Sequence, residues 1–162
     1  MVASKFIEEH KVVNCGNSSF IAANEDIFNG NPATDVVNLS QWEEITFIIQ
    51  KGAGATGTAT ITVESCDDTT PTTSTAVAFR YRLCTSGDTF GAWTAVASTG
   101  FTTTAGANQV YEVNIRASEL STTDKYVRMQ CTEVANSPCD GGICAILTGP
   151  RYAEDINATV LT

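Results

Sequence analysis

The residues able to do chemistry are six cysteines, one histidine and three adjacent carboxylate pairs. Cys15, Cys66, Cys84, Cys131, Cys139 and Cys144 are the potential metal ligands, nucleophiles or disulfide partners. Their spacing is not that of two CxxC knuckles, and the lone His10 does not complete a zinc set. Cys131 follows Val127 and Met129 at alternate positions, which makes it a small core hydrophobe. Cys139 and Cys144 flank Asp140-Gly141-Gly142-Ile143, a tight-turn sequence, and they are the candidate disulfide. His10 stands beside Glu8 and Glu9 with no Gly-x-Ser-x-Gly elbow elsewhere, so it reads as a surface residue rather than a general base. Within a strand, the neighbours in Glu8-Glu9, Glu43-Glu44 and Asp67-Asp68 point to opposite faces, so none of these pairs supplies opposed carboxyls by itself. Asp67, Asp68 and Asp88 lie in no calcium-loop pattern. Gly52-Ala53-Gly54-Ala55-Thr56-Gly57 spells a dinucleotide fingerprint, but a threonine-rich strand follows it where a helix is required. The expectation is a protein that is not an enzyme, with no catalytic residue, no metal and no cofactor.

The elements that must carry these residues are strands. Ile45, Phe47 and Ile49 alternate in one run, Ala59, Ile61 and Val63 in the next, and Tyr111, Val113 and Ile115 in a third. Val77, Phe79, Tyr81 and Leu83 share one face of a further strand, with Arg80 and Arg82 on the other. Shorter strands are expected at Val36–Leu39, Trp93–Ala97, Lys125–Thr132, Ile143–Leu147 and Ile156–Leu161, and one helical turn at Ala117–Leu120. Residues 1–15 form an N-terminal arm or a first strand, with extended structure favoured at Lys11–Cys15, and residues 16–162 form a single domain. The fold class expected is all-β, an antiparallel β-sandwich of jelly-roll type with an N-terminal arm and long polar loops.

Composition agrees. Threonine occurs 24 times, and its branched side chain suits pleated surfaces. The net charge of −9 argues against binding nucleic acid or an anionic membrane surface. No apolar run has the length of a membrane span, and the N-terminus has no basic start followed by an apolar stretch. Synthesis and folding in a reducing cytoplasm are expected from that start.

The run Phe6-Ile7-Glu8-Glu9-His10-Lys11-Val12-Val13-Asn14, the polar loop after it, and Val36-Val37-Asn38-Leu39-Ser40-Gln41-Trp42-Glu43-Glu44-Ile45-Thr46-Phe47-Ile48-Ile49 resemble small structural proteins of tailed-phage heads. So do the Tyr81–Phe101 region and the Gln109–Leu120 stretch. The resemblance is to capsid cement or decoration subunits, and it implies a virion structural protein on the capsid exterior, made in the host cytoplasm. It also implies binding to the major capsid protein at capsomer junctions and assembly as a homo-oligomer, a trimer. The six cysteines and the Pro138–Gly142 segment depart from that pattern. The family has no signature site, so docking residues come from this sequence: Phe6, Ile7, Val12 and Phe20 near the N-terminus, Ile27 and Phe28 in the 16–35 loop, and Trp42 and Trp93. The alternative expectation is a carbohydrate- or receptor-binding sandwich from a fibre or baseplate, with Trp42 or Trp93 as stacking platform.

Overall fold

Alternation decides where this chain extends. In β3 (Trp42–Lys51) Ile45, Phe47 and Ile49 are buried on one side of the strand, while Glu44, Thr46 and Ile48 face outward. The same two-residue period forms β4 (Thr58–Cys66), β9 (Val110–Arg116), β10 (Tyr126–Ala135) and β11 (Gly141–Pro150). Shorter strands complete the set: β1 (His10–Asn14), β2 (Val37–Asn38), β5 (Ser74–Val77), β6 (Phe79–Cys84), β7 (Thr94–Val96) and β8 (Phe101–Thr102). The structure is a computed structural model and describes residues 6–15, 26–53, 55–85 and 87–151. The expected strand at Ile156–Leu161 lies outside the described residues.

The strands form two antiparallel sheets, one in the order β1-β11-β3-β9-β6-β7 and the other β2-β10-β4-β5, with β8 also on β4. The pairs β1–β11, β2–β10, β3–β9 and β4–β5 are nested. Nested pairing split between two sheets is the order of a jelly roll, here with β6, β7 and β8 inserted after β5. The sheets close on one core, which includes Trp42, Phe47, Ile61, Met129 and Leu147.

One strand expected at 77–84 is two. β5 belongs to the five-stranded sheet and β6 to the six-stranded sheet, and the chain crosses between them at Ala78. Val77 and Phe79 both pack on the shared core, so their alternation is the same for one straight strand as for two that change layer. Phe79 and Tyr81 then meet Phe101 of β8, the Tyr81 and Phe101 rings stacking 3.8 Å apart.

The N-terminal segment belongs to the body. Phe6–Glu9 is a helical turn and β1 is the edge strand of the six-stranded sheet. Ile27 and Phe28, expected at a docking surface, are buried in the core. The reason is backbone pairing: Thr34 N donates to Met129 O (2.9 Å), Met129 N donates to Thr34 Oγ1 (2.9 Å), and Cys131 N donates to Pro32 O (2.9 Å). Residues 32–34 thus tie onto β10, and the polar composition of this loop caps backbone groups instead of facing a partner. At the same end of the sandwich the buried Lys51 donates from Nζ to Gly57 O (3.0 Å) and Thr104 O (2.8 Å), joining two loops. Burial lowers its pKa, against the opposing pull of Cys139 and Asp26.

Candidate functional site

The outward face of the six-stranded sheet carries the site. Antiparallel register lines its side chains into rows across the strands. One row reads Val12, Ile146, Thr46, Asn114, Arg80. The next reads Asn14, Cys144, Ile48, Glu112, Arg82. A third brings His10, Thr148, Glu44 and Arg116 together. From β1 to β6 there are four strand steps, or about 19 Å at ~4.8 Å each.

These side chains are held before any partner arrives. Arg80 Nε donates to Asn114 Oδ1 (2.8 Å), and Asn114 Nδ2 donates to Thr46 Oγ1 (2.9 Å). Arg80 also faces Glu44 at 3.5 Å, and Arg82 Nε donates to Glu112. Arg82 lies over the rings of both Phe90 (4.6 Å) and Trp93 (4.7 Å), with Arg80 5.4 Å from the Trp93 centroid. At the opposite end Phe6 stacks on His10 at 4.7 Å, and His10 Nδ1 is hydrogen-bonded to Thr148 Oγ1 (3.0 Å). The result is a shallow trough of about 420 Å3 with a ring at each end and an ionic and hydroxyl-bearing floor.

The expected docking residues divide cleanly. Phe6, Val12 and Trp93 are exposed (54%, 58% and 42%) and all three lie on this face. Trp42 does not: it is fully buried, because it opens β3 on the inward side of the pleat. Its indole N–H has no hydrogen-bond partner among the described residues. Phe20 and the Ile7 side chain lie outside the described residues. The sequence placed Arg80 and Arg82 outward but gave no sign of Glu112 and Asn114, which meet them only through the β6–β9 pairing. The spacing Phe90-x-x-Trp93 beside two alternating arginines is the local signal that marks this clamp.

The thiols are not part of the trough's chemistry, and the expected Cys139–Cys144 bridge is absent: both are free. Gly141 and Gly142 belong to β11, so no tight turn brings the two cysteines together. Cys139 is buried in the core, while Cys144 lies on the outward face opposite Asn14. Burial pushes Cys15 and Cys131 up to about 12, and Cys66 and Cys139 up to about 11. At neutral pH these four are thiols, poor as nucleophiles and as metal ligands. Among the described residues no three metal-ligating groups converge. Asp67 instead accepts from Thr72 Oγ1 (2.9 Å) and Thr73 Oγ1 (2.8 Å), closing the β4–β5 loop. No known protein family matches the chain, and neither any curated protein nor any solved structure matches it.

Proposed function

We propose that this chain is a virion structural subunit of the cement or decoration class, which grips the outer shell of a tailed-phage capsid through the trough of its six-stranded sheet. The observation that carries the reading is the convergence of Phe6, Val12 and Trp93 on one face, around Arg80 and Arg82. Tryptophan and arginine dominate interface hot spots because each buries a large area at low cost in lost rotamers. Here both arginines are already fixed by carboxylate, amide and ring contacts, so little freedom remains to be lost on docking. A sandwich with nested pairing gives the rigid backing that bridging two shell subunits requires. The partner is the major capsid protein, met at capsomer junctions by copies assembled in threes.

The test is co-sedimentation of the purified protein with empty expanded shells. Wild type pellets with the shells and Trp93→Ala does not, while a change on the opposite sheet, Thr62→Ala, pellets normally. Failure of the wild type to pellet refutes the reading. The exposed rings at both ends also suit a sugar chain, whose C–H faces stack on aromatics. Retention on a glycan array that Trp93→Ala abolishes, without shell binding, favours that second reading.

A further inference from the structure

Two grooves lie end to end along one rim of the six-stranded sheet, and they start where the described chain stops. The first, about 490 Å3, is lined by Glu43, Glu44, Arg116, Ser118 and Arg151. The second, about 500 Å3, is largely apolar, with Val77, Ala78, Phe79, Ala95 and Val96 along it and Arg80 and Glu119 at its rim. The short 3-10 turn Ala117–Glu119 joins them, since Ser118 faces one groove and Glu119 the other. Arg151 is tied to the same rim by its N–H, which donates to Gln41 O (2.8 Å).

We propose that the chain's own C-terminal segment, residues 152–162, occupies these grooves. The path crosses the ends of β11, β3, β9, β6 and β7, four strand steps, or about 19 Å. The eleven residues beyond Arg151 span up to about 37 Å when extended, so the segment reaches the far groove with length to spare. Chemistry falls into register with distance. Two steps, about 10 Å or three residues, set Glu154 and Asp155 beside Arg116, whose side chain is 56% exposed. Three steps, about 14 Å or four to five residues, set Ile156 at Phe79, followed by Ala158, Val160 and Leu161 along the apolar lining. A second copy is the competing occupant, but a tether this short gives an effective concentration of roughly millimolar, above that of free protein in solution. The rim lies beside the trough and not within it, so shell docking and tail seating are separate properties.

The experiment uses the full chain, isotopically labelled, with Ile156→Asp in the tail and Val96→Arg in the groove as independent variants. Ile156→Asp shifts the amide resonances of Val77, Ala78, Phe79, Ala95 and Val96 and speeds their hydrogen exchange about tenfold. Val96→Arg shifts the resonances of residues 156–161, far away in sequence. Changes confined to sequence neighbours in both variants overturn the proposal. So does a groove signature that disappears on dilution as the mass falls to that of one chain, which assigns the groove to a neighbour's tail.

Discussion

Alkaline pH unfolds this protein through its buried thiols. Cys15, Cys66, Cys131 and Cys139 have an ordinary pKa of 9.0, and burial raises them to about 12, 11, 12 and 11 in the folded chain. Between pH 9 and pH 11 the unfolded chain loses these four protons and the folded chain keeps them. The folded state then binds more protons, and stability falls as pH rises. Each such group contributes a slope of about 1.4 kcal/mol per pH unit, so four give about 5 kcal/mol per unit. Against a typical stability of about 5–15 kcal/mol, this brings unfolding near or below pH 11. Lys51 works the other way, because burial lowers its pKa from 10.5, but it is one group against four. Cys131→Ala isolates the effect. It leaves a small void that costs about 1–2 kcal/mol at pH 7, and it removes one titrating thiol. Guanidinium melts at pH 8, 9, 10 and 10.5, monitored by circular dichroism under reducing conditions, follow both chains. The gap between wild type and variant narrows by about 1.4 kcal/mol from pH 9 to pH 10 and closes or inverts above that. A gap that stays constant across this range refutes the reasoning.

Trp93→Ala removes two cation–π contacts of about 0.5–1 kcal/mol each, so its denaturant midpoint moves little, while shell binding weakens about 30-fold or more, read by sedimentation. Gly100 has φ +80°, and a Cβ there would lie 2.2 Å from Ile61 O; Gly100→Ala therefore costs about 3 kcal/mol or more, measured as a lowered denaturant midpoint. Thr103 is buried and its Oγ1 accepts from Ala59 N (3.0 Å). Thr103→Val leaves that donor orphaned at a cost of about 1–3 kcal/mol, and thermal unfolding checks it against Thr102→Val, which is isosteric on the exposed side of the same strand.

The amino-acid sequence alone determined the layer type. Period-two burial in β3, β4, β9 and β10 needs no tertiary information, because a strand with one apolar face has to cover that face with another. It also determined the outward direction of Arg80 and Arg82. What it left open were matters of pairing. Alternation is the same whether a strand stays in one sheet or crosses to the other, so the break at Ala78 was hidden. Ile27, Phe28 and Trp42 looked like surface anchors because they sit in or beside polar loops, and only the core they enter accounts for their burial. The same holds for Cys139 and Cys144, five apart in sequence yet on opposite sides of a sheet layer. The trough itself joins β1 to β6 across strands from distant parts of the chain. Its rows exist through register, a property of strand pairs that no single segment carries.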